Sequence, residues 1–217
     1  MNRIILLGAP GSGKGTQAER ICNKYNIPAV STGNILREAI AAGTETGLAA
    51  KEYMDRGDLV PDKVVVGVLK DRLSKPDCAG GFLLDGFPRN IAQAETLEKF
   101  GIDIDKVIEI DVPDAEILKR MSGRRVCPKC GASYHLEFKP SANGGRCDKC
   151  GVDIVIREDD KPETVAARLK TYHNRTEPLS AFYTKRGLAK KREILTKVSG
   201  VGDIDDVTFR VMDAIGL

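Results

Sequence analysis

The sequence lacks any long apolar run and any large excess of one charge. Its first apolar stretch, residues 4–7, is too short for the core of a secretory signal peptide, and no later run could span a bilayer. With 34 basic and 31 acidic residues, the net charge of +3 does not by itself indicate a nucleic-acid-binding protein. We therefore expect a cytoplasmic protein that works without a membrane or a nucleic-acid partner.

Internal repeats and low-complexity segments are also absent from the sequence. The hydrophobic share of 41% and the charged share of 30% are those of a globular protein. A chain of 217 residues is long enough for one large core that carries insertions.

Short apolar segments alternate with helical patterns along most of the chain. Strands are predicted at residues 3–7, 81–85, 106–112 and 193–198. Helices are predicted at 14–23, through 35–39, at 51–55, 62–74, 90–99, 115–121 (capped by Asp114), 161–172, 179–183 and 205–215. This alternation predicts an α/β fold, with a parallel sheet covered by helices on both faces.

The alternation stops between residues 123 and 160. This stretch is rich in glycine, holds four cysteines and shows short polar–apolar alternations near residues 134–138 and 152–156. Period-two alternation over a few residues is typical of short strands. We predict a small β-rich insertion here.

A glycine-rich loop follows the first predicted strand. Residues 8–14 fit the phosphate-loop pattern G-x-x-x-x-G-K, although Gly15 precedes Thr16 where the general pattern has Ser or Thr directly after lysine. Glycines let several backbone N–H groups face one anion, the following helix adds its positive end, and Lys14 adds a full charge. The alternative is a glycine-rich turn with a chance lysine, but the position between a buried strand and a helix favours a phosphate site. The loop residues predicted to bind ATP are Gly11, Ser12, Gly13, Lys14, Gly15 and Thr16.

The predicted strand at residues 81–85 ends in an acid, Asp85. In phosphate-loop proteins an aspartate in this position helps to hold Mg²⁺ near the phosphates. We therefore associate Asp85 with the Mg²⁺ that accompanies ATP.

Four cysteines form two Cys-x-x-Cys pairs: Cys127 with Cys130, and Cys147 with Cys150. The gap between the pairs falls in the range of four-cysteine zinc sites. Two disulfides are the alternative, which a cytoplasmic setting disfavours. Four protein ligands leave no open position, so we expect a structural Zn²⁺.

Several motifs, taken in order, resemble those of the adenylate kinase family. They run from the N-terminus to about residue 183 and are specific as a set. They are Gly8-Ala9-Pro10-Gly11-Ser12-Gly13-Lys14-Gly15-Thr16, Ser31-Thr32-Gly33-Asn34-Ile35-Leu36-Arg37, Gly57-Asp58-Leu59-Val60-Pro61-Asp62, Asp85-Gly86-Phe87-Pro88-Arg89 with Gln93-Ala94, Gly123-Arg124-Arg125, and Arg157-Glu158-Asp159-Asp160 with Glu163-Thr164 and Arg168.

The resemblance implies a reversible transfer in which ATP and AMP give two ADP, with Mg²⁺ accompanying ATP and with the protein as a monomer. It also implies a three-layer α/β/α phosphate-loop core (residues 1–30, 61–121 and 161–217). Two insertions would interrupt the core: a helical AMP-binding domain at 31–60 and a β-rich zinc lid at 122–160. Residues 122–160 are called the lid segment below.

The resemblance also assigns roles to single residues. Catalysis would fall to Lys14, Arg89, Arg124, Arg157 and Arg168. ATP would contact Arg120 and Arg124 besides the phosphate loop, with its adenine near the main chain of residues 199–202. AMP would contact Thr32, Gly33, Arg37, Leu59, Val60, Gly86, Arg89, Gln93, Arg157 and Arg168. No general base is needed, because the attacking AMP phosphate is already an anion, so His135 and His173 receive no catalytic role.

Three alternatives remain at this point. A UMP or CMP kinase shares most of these motifs, and a GTP-using AMP kinase shares nearly all of them. A zinc-ribbon nucleic-acid binder with an accessory NTPase domain would not explain residues 85–89 or the arginines. Thr32 favours AMP, because related kinases that act on pyrimidine nucleotides tend to have a small apolar residue there; alternatively, its hydroxyl only caps a helix that begins near Asn34.

Overall fold

A five-stranded parallel sheet forms the centre of the computed structural model, which describes residues 2–216. Its spatial order is β2-β3-β1-β4-β7. The strands are β1 (Asn2–Leu7), β2 (Ala29–Ser31), β3 (Gly81–Asp85), β4 (Lys106–Asp111) and β7 (Leu195–Ser199), while β5 (Arg124–Val126) and β6 (Ser133–His135) form a separate antiparallel pair. Because β1 is the middle strand, the loop that follows it leaves the sheet at its centre.

Helices connect the parallel strands. They are α1 (Lys14–Tyr25), α2 (Thr32–Ala41), α3 (Glu45–Arg56), α4 (Asp62–Leu73), α5 (Ile91–Lys99), α6 (Asp114–Gly123), α7 (Pro162–Thr171), α8 (Leu179–Ala189) and α9 (Ile204–Ile215). A π-helical turn, Tyr172–Thr176, joins α7 to the segment before α8. Within residues 2–216, no helix combines the length and the apolarity that crossing a bilayer requires.

Two apolar clusters cover the two faces of the sheet. Alternate residues of β1 enter different clusters: Ile5 and Leu7 pack with α4, α5 and α8, whereas Ile4 and Leu6 pack with α1, α6, α7 and α9. Successive side chains of a strand point to opposite faces, so these clusters are two separate layers of helix on one sheet. The predicted α/β fold with three layers is confirmed.

The lid segment has a small core of its own. Strands β5 and β6 pair, and Val126 also bridges Val155. The buried residues of this apolar core are Cys127, Tyr134 and Cys147. The predicted β-rich insertion is therefore present, although its strands are only three residues long.

The structure differs from the sequence-based expectations at several element boundaries. Strand β2 was not predicted, because three residues are too few to show a period. Helix α3 starts at Glu45, well before the expected residue 51, since the Thr44 hydroxyl accepts a hydrogen bond from the Gly47 N–H and caps it.

One predicted helix cap and one predicted helix start are wrong. Asp114 is the first residue of α6, and its carboxylate contacts His173 instead of capping the helix. Helix α2 begins at Thr32, so Asn34 lies inside the first turn, where its side chain accepts a hydrogen bond from Arg37. At α6, the His173 ring competes for the carboxylate oxygen that would otherwise cap the helix.

Candidate active site

A cavity of about 1550 Å³ opens at the carboxyl ends of β1 and β3. Open α/β sheets bind ligands at this edge, where the loops that leave the strands meet. The walls come from the phosphate loop, the start of α2, the end of α6, the lid segment and the loop before α9. The cavity is large enough for more than one small ligand.

The phosphate loop forms the floor of the cavity. Gly13 has φ 96°, a left-handed conformation that favours glycine, and α1 begins directly after it. The Lys14 ammonium donates to the carbonyl oxygens of Gly8 and Ala9, both at 2.7 Å. Burial lowers the pKa of Lys14 to about 8, against the opposing effect of Asp85. A bound anion would favour the charged form of this lysine.

Five arginines border the same cavity although they come from distant parts of the chain. They are Arg37, Arg89, Arg124, Arg157 and Arg168. Burial lowers the pKa of Arg37 to about 9 and that of Arg168 to about 10, so both stay charged at neutral pH. The cluster places planar, fork-shaped donors around one space, as phosphate binding requires.

Two acids hold three of these arginines. Asp160, whose side chain is fully buried, accepts hydrogen bonds from Arg124 and Arg168, and Asp159 pairs with Arg157 and Arg168. Burial alone would raise the pKa of Asp159, but the charges of Arg168 and Arg157 lower it overall. With Asp85, three carboxylates accompany six cations, so the site has an excess of positive charge that anionic ligands would balance.

The predicted acceptor-site residues are arranged around Gly86. The Thr32 hydroxyl donates to the Gly86 carbonyl at 2.8 Å, so it does not cap α2. The Gln93 amide oxygen accepts from the Arg89 N–H, and its NH₂ group donates to Asp62, both at 2.7 Å. Gly33, Leu59 and Gly86 border the cavity, whereas the buried residues Thr32, Val60 and Gln93 are not part of its lining.

The other end of the cavity lies beside α6. Arg120 donates to Glu116 at 2.9 Å and to the Gly200 carbonyl at 3.0 Å, and so ties α6 to the loop before α9. The ring of His135 reaches the Arg120 carbonyl with Nε2 at 3.1 Å, while its Nδ1 accepts from the N–H groups of Glu137 and Phe138. The lid segment is thus anchored to the end of α6 by a neutral histidine.

Comparisons with known proteins agree with this geometry. The family model described as adenylate kinase matches residues 6–188. The chain is 54% identical over 219 residues to an adenylate kinase from Caldicellulosiruptor bescii, covering 99% of each chain. It is 52% identical over 209 residues to one from Thermodesulfovibrio yellowstonii, covering 94% of each chain, and 52% identical over 216 residues to one from Archaeoglobus fulgidus, covering 98% of this chain and 96% of that one.

The chain belongs to the adenylate kinase family. The family resemblance that its motifs predicted is therefore confirmed. The predicted phosphate loop, Asp85, Arg120 and the five arginines border one cavity in this family member.

The four cysteines of this adenylate kinase family member lie together in the lid segment. Their sulfur atoms all lie within 4.8 Å of one another, and none is disulfide-bonded. Sulfur–sulfur distances are 3.4 Å for Cys127–Cys150, 3.4 Å for Cys130–Cys147 and 3.7 Å for Cys130–Cys150. A tetrahedron with metal–sulfur bonds of about 2.3 Å has edges of about 3.8 Å, so the cluster fits a metal ion such as Zn²⁺.

Sequence reasoning missed three kinds of residue at this site. It gave no role to Asp159 and Asp160, although both adjoin a predicted arginine. It overlooked Glu19, which pairs across the cavity with Lys149 and Lys139 of the lid segment at 2.6 and 3.5 Å. It also overlooked Gln17, whose burial was readable from its position on the apolar face of α1 with Ala18 and Ile21.

Proposed function

We propose that this chain catalyses the reversible transfer of the terminal phosphoryl group of ATP to AMP, which gives two molecules of ADP. The observation that carries the proposal is the convergence of Lys14 and five arginines on one cavity in a member of the adenylate kinase family. Relatives from three organisms carry the name adenylate kinase at more than half identity over nearly their whole length. The protein is thus a nucleoside monophosphate kinase, a phosphotransferase.

The phosphoryl donor, ATP, would lie over the phosphate loop. Backbone N–H groups from Gly11 to Thr16 and the start of α1 would hold the triphosphate, with Lys14 beside the group that is transferred. Arg120 would lie against the adenine, near Gly200. The magnesium ion that accompanies ATP neutralises phosphate charge, and Asp85, at the end of β3 beside the loop, would help to hold it.

The acceptor, AMP, would lie on the opposite side of the cavity. Arg37 and Arg89 would grip its phosphate. Leu59, Val60, Thr32, Gly33 and Gly86 would surround its base. Gln93 keeps one N–H and one oxygen lone pair beyond its bonds to Asp62 and Arg89, and these match N1 and N6 of adenine.

The transfer itself would need positioning and charge more than covalent help. Arg124, Arg157 and Arg168 would contact the transferred phosphoryl group and neutralise the charge spread over its oxygens. Asp159 and Asp160 hold these arginines in place before the phosphates arrive, so fewer side-chain rotamers have to be fixed during the reaction. The AMP phosphate attacks as an anion, so no base has to remove a proton.

Each segment of the chain would have its own role in this reaction. Residues 1–30, 61–121 and 161–217 would form the core, 31–60 the AMP-binding insertion, and the lid segment a cover that excludes water. The four cysteines would bind a structural Zn²⁺, because a complete set of four thiolate ligands leaves no position for a substrate. We also propose a cytoplasmic monomer that acts on ATP, AMP and ADP without a nucleic-acid or membrane partner, and the residues named above for both nucleotides come from a single chain.

The test is the stoichiometry of the reaction in both directions. Purified protein with ATP, AMP and Mg²⁺ should form two ADP for each AMP consumed, and ADP alone should give equal amounts of ATP and AMP. Nucleotides separated by ion-exchange chromatography provide the measurement. ATP hydrolysis that does not depend on AMP would contradict the proposal.

A further inference from the structure

Gln17 carries a buried polar atom that the reaction described above does not use. The residue lies one position after Thr16 in the first turns of α1, and it is 2% exposed. Its Nε2 donates to the Ile204 carbonyl at 3.4 Å. Its Oε1 has no hydrogen-bond partner among residues 2–216, although it is buried.

The orientation of this amide follows from its surroundings. A backbone carbonyl can only accept a hydrogen bond, so the NH₂ group must face Ile204. Turning the amide over would bring two acceptors together and leave the NH₂ group without its partner. The unpartnered atom is therefore an oxygen, which needs a donor.

A buried acceptor without a partner is costly and rare in folded proteins. Gln17 borders the main cavity between two of its walls, the phosphate loop and the loop before α9. Gly202, Asp203 and Ile204 of that second wall line the same region. An unpaired oxygen in this place is suited to a ligand that brings an N–H group.

We propose that Gln17 Oε1 accepts a hydrogen bond from the 6-amino group of the donor base and so selects ATP over nucleotides with a 6-oxo group. The inference rests on the proposed function, in which the triphosphate lies on the phosphate loop and the base lies beside Arg120 and Gly200. A base in that position would lie near the loop before α9, where Ile204 holds the other end of the Gln17 amide. A 6-oxo purine would place a second acceptor against Oε1, which leaves both oxygens unpaired.

The proposal is tested with nucleotides that differ only at position 6 of the base. Purine riboside triphosphate carries hydrogen where ATP carries the amino group. The dissociation constants of the two nucleotides are measured by titration calorimetry without AMP, for the parent protein and for Gln17→Leu. Removing the amino group should weaken binding by about threefold to tenfold in the parent, as for one net hydrogen bond, and by less than about twofold in the variant.

The same variant should also change the preference among donors in turnover. With AMP saturating, the ratio of kcat/KM for ATP to that for GTP should fall at least about fivefold in Gln17→Leu, because the variant no longer favours the amino group. Gln17→Met fills a similar volume with an unbranched chain and serves if the leucine variant unfolds. Thr196→Val is the matched control: Thr196 Oγ1 is also buried and unpartnered, but it does not border the cavity, so this variant should keep the parent's preference.

An equal loss of affinity for purine riboside triphosphate in parent and variant would overturn the proposal, because Oε1 would then meet a water molecule rather than the base. Failure of the broader function has a different signature. In that case ATP and AMP would give no ADP, whatever residue occupies position 17. The calorimetry needs no turnover, so the two failures can be told apart.

Discussion

At the scale of single residues, the most consequential side chain is Lys14. It is held inside the phosphate loop by two carbonyl oxygens and lies among the arginines of the cavity. Lys14→Ala should lower kcat by ~100-fold or more, because a charge preorganised at the reacting phosphate contributes several kcal/mol to the transition state. Steady-state kinetics measures the loss, and circular dichroism checks the fold.

Lys197→Ala is the control for this substitution, since Lys197 pairs with Asp111 at the edge of the sheet, away from the cavity. It should keep the parent's turnover. A folded Lys14→Ala protein with near-normal kcat would remove Lys14 from the mechanism.

His173 makes stability depend on pH. Its ring nitrogens contact Glu177 and Asp114, both at 3.0 Å, and these contacts raise its pKa. A raised pKa in the folded state stabilises the protein below the ordinary histidine pKa of about 6.5, and this contribution is lost as pH rises through the folded-state pKa. His173→Gln should therefore lower the melting temperature more at pH 5.5 than at pH 8.5.

Differential scanning calorimetry at the two pH values measures this difference. The effect should be small, because the ring and both carboxylates are substantially exposed to water. Equal destabilisation at both pH values would show that the contribution of His173 is packing rather than charge.

At the scale of elements, Glu19 links the core to the lid segment. It lies on α1 and pairs with Lys149 and Lys139, and Lys149 lowers its pKa. Glu19→Gln should raise the rate of amide hydrogen exchange in residues 133–150 by about twofold to fivefold, since half-exposed ion pairs contribute little individually. High salt should reduce the difference between parent and variant.

Glu98→Gln is the matched control for that experiment. Glu98 pairs with Arg186 on the far side of the core, and its side chain is 42% exposed against 41% for Glu19. It should leave exchange in the lid segment unchanged. Unchanged exchange in Glu19→Gln as well would show that this contact does not hold the lid segment.

A metal ion bound by the four cysteines, as proposed, should stabilise the lid segment without taking part in chemistry. Removing the metal with a chelator should lower the melting temperature, because the free energy of metal binding is also free energy of folding. Part of the activity should survive at low temperature, since the arginines and Lys14 lie outside the cluster. Elemental analysis of gently purified protein provides the first check, and finding neither zinc nor a substitute metal would refute the assignment.

Some local features of the structure were predictable from the sequence, and others were not. The phosphate loop and the Cys-x-x-Cys pairs are local patterns whose spacing is set by the ligand, so they were predictable. Strand β2 is too short for a pattern, and the start of α3 depends on one threonine hydroxyl. The unpaired oxygen of Gln17 could not be predicted, because the orientation of its amide depends on Ile204, which is distant in sequence.

At the scale of the whole molecule, the layers were predictable because strand–helix alternation leaves few arrangements. A parallel sheet needs crossovers, and crossovers place helices on both faces. The pairing of Asp160 with Arg124 and Arg168 could not be predicted, since these arginines lie on different elements. The hydrogen bond from Thr32 to Gly86 could not be predicted either. The same holds for the hydrogen bonds of Gln93 with Arg89 and Asp62.

The central claim is that one cavity brings ATP and AMP together, with Gln93 and its neighbours recognising adenine on the acceptor side. The most direct measurement is kcat/KM for AMP, compared with the values for UMP and CMP, with ATP saturating. A site that pairs with adenine leaves buried groups unsatisfied when uracil or cytosine enters, so the ratio should be large, up to ~10⁴. A ratio near one would contradict the assignment of AMP as the acceptor.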